Sequence, residues 1–112
     1  MRLLLLAAFL SVAARPAAAG TAEFARHVQG EKAECDFLLF LCREANRAID
    51  QAAATPGTAD VIGFKNANLA DLHVRDALEA ADVISGKHPP DKQPWCLAAP
   101  ECGFLKDARR GR

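Results

Sequence analysis

The densest apolar cluster outside the N-terminus lies between two cysteines, in residues 34–43. It belongs to a series at helical spacing that has one charged member: Phe24, Val28, Glu31, Cys35, Leu38, Cys42, Ala45, Ile49 and Ala52. A single helix over this whole series would measure about 50 Å, which is long for so small a domain. We therefore expect a bend near Gly30 and a main helix over residues 31–54, which Thr55-Pro56-Gly57 ends.

The segment before Gly30 predicts a shorter helix. Thr21 is suited to the N-cap, and Phe24 and Val28, four residues apart, fall on one face of a helix over residues 22–29. The expected N-terminal element is therefore one short helix that precedes the bend.

Between residues 37 and 42 the main helix is apolar on nearly every side. Such a helix is either enclosed by its own chain or exposes a patch that a partner covers, and the pattern leaves both open. Phe37, Phe40 and Leu41 are the candidates for a binding surface on this helix.

A second helix is expected to run from an N-cap at Asn66 or Asn68 to Ser85 and to stop at Gly86. Residues 58–65 fit either a helical turn or a short extended piece. The turn between the two helices predicts an antiparallel hairpin. Its polar face would gather Asp71, Arg75, Glu79 and Asp82, and its buried side would be Leu69, Leu72, Ala80, Val83 and Ile84.

Residues 87–94 contain three prolines and predict an extended, stiff connection that returns the chain to the body. Trp95 follows it, beside Cys96. A tryptophan next to a disulfide most often packs as core, and the alternative is an interaction hot spot, so Trp95 is also a binding-surface candidate. The basic segment 106–112 is expected to be a frayed, solvated tail.

The four cysteines predict two disulfides. Cys35 and Cys42 are seven residues apart, so on a helix they share a face but lie roughly 10.5 Å apart along the axis, too far to bond with each other. Each must pair with Cys96 or Cys102. An ascending arm gives Cys35–Cys96 and Cys42–Cys102, which we favour, and a descending arm gives Cys35–Cys102 and Cys42–Cys96.

The first 19 residues have the pattern of a secretory signal peptide: Arg2, then an apolar run, then Ala17-Ala18-Ala19. Cleavage is expected after Ala19, with Ala14 and Ala18 as alternatives. The apolar run is shorter than a membrane span. These features predict an exported, soluble protein of the periplasm or extracellular space, with a single helical domain over residues 20–105.

Charge argues against nucleic acid as a partner. The whole chain has 14 basic and 14 acidic residues, and removal of Arg2 and Arg15 with the signal peptide leaves 12 basic against 14 acidic, a net charge of −2. A nucleic-acid-binding domain would carry a basic excess. The expected partner is another protein or a second copy of this chain.

Few residues are available for catalysis or metal binding. There is no tyrosine, Ser85 is the one serine after residue 19, and neither His-x-x-x-His nor Cys-x-x-Cys occurs. We expect no catalytic residues and no cofactor. His73 and Asp76, three apart on the second helix, are the weak candidates for a metal or small-ligand site, but a hydrogen-bonded boundary histidine is the favoured interpretation.

The expected fold is all-α: an antiparallel helical hairpin with a short N-terminal helix and a C-terminal arm bridged to it by disulfides. The run from Ser85-Gly86 through Trp95-Cys96-Leu97 to Pro100 resembles a piece of small exported immunity proteins that neutralise bacterial toxins. That resemblance, over this short segment alone, implies protein binding. The expected function is a non-catalytic protein-binding module of the inhibitor or immunity type. The alternatives are a metal or small-ligand carrier and a structural envelope-associated protein.

Overall fold

The computed structural model of the chain describes residues 17–54 and 61–111. Within these residues all regular structure is helical, and the expected all-α, disulfide-stapled fold is confirmed. The α-helices are α1 (Ala17–His27), α2 (Glu31–Ala54), α3 (Val61–Gly86) and α4 (Leu105–Arg110), and two 3-10 turns, Trp95–Ala98 and Pro100–Cys102, precede α4.

The bend between α1 and α2 lies where the sequence predicts it. Gly30 has φ +92°, a left-handed conformation that side chains with a Cβ rarely adopt. The bounds of α2 are the predicted ones. The predicted N-cap of α1 is wrong, because Thr21 lies inside a helix that starts at Ala17. Alanine is the strongest helix former, so Ala17-Ala18-Ala19 extend the helix toward the N-terminus.

Helices α2 and α3 form the predicted antiparallel hairpin, with the start of α2 beside the end of α3. The loop that joins them, including Thr55-Pro56-Gly57, lies outside the described residues. Helix α3 begins at Val61, before both of the predicted caps, so Asn66 and Asn68 lie within it.

The buried side of α3 differs from the prediction. Ala80 and Ile84 are buried as expected, but Leu69 and Leu72 are 46% and 50% exposed. The contact stripe is centred on alanines, and Leu72, five residues from Ala77, points about 140° away from it. The buried residues of the stripe are Ala70, Ala77, Leu78, Ala80, Ala81 and Ile84.

The connection after α3 contains turns and is not extended. Backbone bonds from Lys87 to Ile84 and from Lys92 to Pro89 close it. The side chain of Gln93 reinforces it, because Nε2 donates to the carbonyl oxygens of Ser85, His88 and Pro89 at 3.0–3.1 Å. Proline composition predicted the lack of regular structure here, but not this side-chain brace.

Two disulfides join the C-terminal arm to α2: Cys35–Cys96 and Cys42–Cys102, each with a Cα–Cα distance of 5.3 Å. This is the pairing that an ascending arm predicts. Asn46 Nδ2 also donates to the carbonyl oxygen of Glu101 at 2.7 Å, so the arm is bound to α2 at three levels.

In place of a frayed tail, residues 105–110 form α4, which packs on α3. Leu105 is buried in the main core, and Arg109 forms an ion pair with Asp82 of α3 at 3.0 Å. The tail expectation failed because it rested on net charge, whereas Leu105 supplies an apolar anchor. The boundaries at residues 19 and 105 remain predictions.

Candidate functional site

Three phenylalanines form an exposed aromatic surface on one side of the molecule. The ring centroids of Phe24 on α1 and Phe37 on α2 are 4.6 Å apart at an interplanar angle of 53°, a tilted contact typical of stabilising aromatic pairs. Phe40 lies one helical turn after Phe37. Phe24 and Phe40 are 53% and 56% exposed, and Phe37 is half-buried. We call Phe24, Phe37 and Phe40 the aromatic surface.

This surface faces away from the C-terminal arm. At 100° per residue, Phe40 lies about 140° around α2 from Cys35, the residue that holds the arm. One side of α2 is therefore covered by α3 and the arm and buries Leu38, Leu39 and Cys42, while the opposite side presents the aromatic rings. Residues 37–42 were expected either to be enclosed by their own chain or to expose an apolar patch. The structure shows enclosure on one side of α2 and exposure on the other.

The position of Phe24 depends on how α1 is held. Ala25 is completely buried in the core, where α1 packs on α3. Lys87, just after α3, donates from Nζ to the carbonyl oxygens of Ala25 and Val28 at the end of α1. A cation at these carbonyls satisfies backbone groups that the helix leaves unbonded and complements the helix dipole.

The same ammonium group binds the one charged side chain that is buried among the described residues. Glu34 is 1% exposed, and its Oε2 lies 3.2 Å from Lys87 Nζ. His88 Nε2 lies 3.0 Å from Oε1 and 3.1 Å from Oε2, and donates because a carboxylate only accepts. We call Glu34, Lys87 and His88 the carboxylate cluster. It ties the ends of α1 and α3 to the start of α2.

The ionic side chains of α2 near the aromatic surface are paired. Lys32 and Asp36 are 2.8 Å apart, and Arg47 and Glu44 are 3.4 Å apart. The hydrogen bond to Asp36, followed by the charge of the same residue, raises the pKa of Lys32. Within these two pairs neither sign of charge is in excess.

The binding-surface candidates from the sequence separate into two groups. Phe37 and Phe40 lie together on the aromatic surface, with Leu41 packed against the core beside them. Trp95 is 58% exposed, so the expectation that it packs as core is wrong. It lies beside Cys96, on the arm side of α2, and is not part of the aromatic surface. Cys35 and Cys96 are completely buried although the Trp95 side chain is exposed.

His73 and Asp76 both lie half-buried on α3. Burial raises the pKa of Asp76, while the charges of His73 and Arg75 lower it by less. Within the described residues no group of three or more His, Cys, Asp or Glu side chains could hold a metal ion. The metal or small-ligand site at His73 and Asp76 gains no support from this geometry and stays a prediction of the sequence.

The sequence pattern did not indicate Phe24 as a surface residue, nor any member of the carboxylate cluster. Glu34 lies next to Cys35 on α2, and its burial depends on residues 53 and 54 positions further along the chain. The one local signal was a pair of cationic or titratable residues, Lys87 and His88, directly after the expected helix stop at Gly86. These two residues reach the carboxylate of Glu34 only when α2 and α3 pack against each other as an antiparallel hairpin.

No protein-family model, no curated protein and no solved structure matches the chain. Within residues 17–54 and 61–111 no helix is long and apolar enough to cross a membrane. The two disulfides are consistent with a protein of an oxidising compartment.

Proposed function

We propose that this protein is a small exported, non-catalytic protein-binding module of the inhibitor or immunity type. The observation that carries the proposal is the aromatic surface, where two phenylalanine rings are more than half exposed beside a third. Aromatic side chains are enriched in protein interfaces, and their exposure in a free protein is unfavourable unless something covers them.

The surroundings of the aromatic surface favour a protein as its partner. The neighbouring charges on α2 form ion pairs at its edge, which matches the polar rim around the apolar centre of an interface. The rings themselves lie on α1 and α2, and the carboxylate cluster joins these two helices through Lys87. A rigid surface of this kind loses little conformational entropy when it binds.

The proposal can be tested by affinity purification of the tagged full chain from its native exported fraction. We compare wild type with the double variant Phe24→Ser/Phe40→Ser and with the matched control Leu69→Ser/Leu72→Ser, which also removes two half-exposed apolar side chains. Quantitative mass spectrometry should find a protein that wild type and the control retain and that the aromatic variant loses. Circular dichroism should show all three to be equally folded.

Light scattering on the same purified samples identifies a second copy as the partner. A mass twice that of the chain in wild type and control, and the monomer mass in the aromatic variant, would assign the surface to a homodimer. If all three samples are monomers and retain the same proteins, the aromatic surface binds no protein and the proposal is wrong. A structural envelope-associated protein would then be the better description.

A further inference from the structure

A second feature, separate from the aromatic surface, is a cavity of about 320 Å³ where the 3-10 turns meet α4. This volume is at the small end of the range for ligand pockets, roughly 300–1,000 Å³. Its surface is about equally polar and apolar and includes two cationic side chains. The lining residues include Leu97, Ala98, Pro100, Leu105, Lys106 and Arg109.

The walls of this cavity are held in place before any ligand binds. Cys96 in the first turn and Cys102 in the second are both bonded to α2. Asn46 holds the backbone of Glu101 between them, and Leu105 is anchored in the core. A cavity with fixed walls binds without the cost of ordering its own loops.

One of the two positive charges at the cavity is uncompensated. No acidic residue lines it. The nearby carboxylates already have cationic partners: Asp82 pairs with Arg109 at 3.0 Å, Glu101 with Arg43 at 3.7 Å, and Asp107 with Arg110 at 3.8 Å. Lys106 forms no ion pair within the described part of the chain, so its ammonium group is the free positive charge at this cavity.

We propose that this cavity binds a small organic carboxylate with a short apolar body. Lys106 binds the carboxylate, while Leu97 and Ala98 contact the apolar portion. The volume limits the ligand to a short acyl chain or a single ring. The larger groove at Asp71, Arg75 and Glu79 has both signs of charge among its lining residues and favours no one class of ligand.

Sodium octanoate is a suitable probe, titrated into the isotope-labelled full chain at neutral pH and followed by NMR. We expect saturable chemical-shift changes at Leu97, Leu105 and Lys106. Lys106→Gln should weaken binding about threefold to fivefold, because solvent screens an ion pair with an exposed lysine. Lys92→Gln, which changes an exposed lysine elsewhere, should bind octanoate as wild type does. Octan-1-ol, which has the same chain without the charge, should also bind about threefold to fivefold more weakly.

Three results would overturn the proposal: no saturable change, equal affinity in Lys106→Gln and wild type, or changes centred on the aromatic surface. None of these bears on the protein-binding function, which rests on other residues. Because Lys106 is exposed, its substitution leaves the fold intact, and unchanged spectra elsewhere in the protein would verify this.

Discussion

At the scale of single residues, Glu34 is a buried charge whose partner Lys87 connects the start of α2 with the ends of α1 and α3. Its carboxylate is buried and would be costly to hold there without Lys87 and His88. Because Lys87 also binds the end of α1, this carboxylate links the fold to the position of Phe24, which α1 carries. A residue with no surface of its own therefore helps to place the aromatic surface.

We predict that Glu34→Gln lowers the free energy of unfolding by about 1–3 kcal/mol, since it leaves the partly buried Lys87 without its counter-charge. Urea unfolding at neutral pH measures this. Glu31→Gln, one turn earlier and exposed, should change stability by less than about 0.5 kcal/mol. Equal effects of the two substitutions would show that the carboxylate cluster adds nothing to stability.

For Asp76 we predict that removing the charge raises the free energy of unfolding, the opposite of the effect expected at Glu34. Its pKa is raised above 3.8 by burial, so the folded state disfavours the ionised form. Between pH 3.8 and the raised value the folded protein binds more protons than the unfolded chain, and stability falls as the pH rises. Asp76→Asn should therefore be more stable than wild type at neutral pH, and the difference should vanish below about pH 4.

The control for this prediction is Asp71→Asn, an exposed position on the same helix. It should show no comparable difference from wild type in urea unfolding curves recorded across this range of pH. A destabilised Asp76→Asn at neutral pH would mean that the carboxylate makes a favourable contact in the folded state, contrary to the effect of burial.

At the scale of elements, α2 combines two opposite surfaces. Leu38 is completely buried on one side of α2. Phe40, two residues further along the chain, is 56% exposed on the other side. Leu38→Ala should cost about 2–5 kcal/mol in urea unfolding, because it removes core volume. Phe40→Ala should cost less than about 0.5 kcal/mol. A large loss for Phe40→Ala would make it a core residue and would remove the basis of the aromatic surface.

The elements that the sequence predicted best are those with local causes. Gly30, the series at helical spacing and the stop at Thr55-Pro56-Gly57 were sufficient to predict α2 and its bend. The buried face of α3 was predicted poorly. Leu69 and Leu72 were expected to be buried, whereas alanines form most of the buried face. Close helix packing at Ala77 and Ala81 is a property of the pair of helices, and a pattern that scores one helix by hydrophobicity does not reveal it.

At the scale of the whole molecule, the two disulfides hold the arm along α2. They span 61 and 60 residues of sequence. The chain-entropy estimate for loops of this length is about 4 kcal/mol each. We predict that Cys42→Ser/Cys102→Ser lowers the free energy of unfolding by about 2–5 kcal/mol. A loss below about 1 kcal/mol would mean that Asn46, Leu105 and Arg109 hold the arm without this bond.

The sequence predicted the disulfide pairing and part of the aromatic surface, and the structure was needed for the rest. The helical geometry of the cysteines excluded one pairing, and the pairing found is the one that an ascending arm favoured. Two of the three members of the aromatic surface, Phe37 and Phe40, were predicted as candidates. Phe24 was not, because its contact with Phe37 depends on the turn at Gly30 and on Lys87 together. The periodicity of apolar residues does not predict contacts between residues that are far apart in the sequence.

The central claim is that a partner protein covers the aromatic surface, and photo-cross-linking in the native exported fraction tests it most directly. A photoreactive phenylalanine analogue is placed at position 40 in one sample and at position 72, exposed on α3, in another. The account predicts a discrete cross-linked protein from position 40 and none from position 72. Cross-links from position 72 alone, or from neither position, would contradict it.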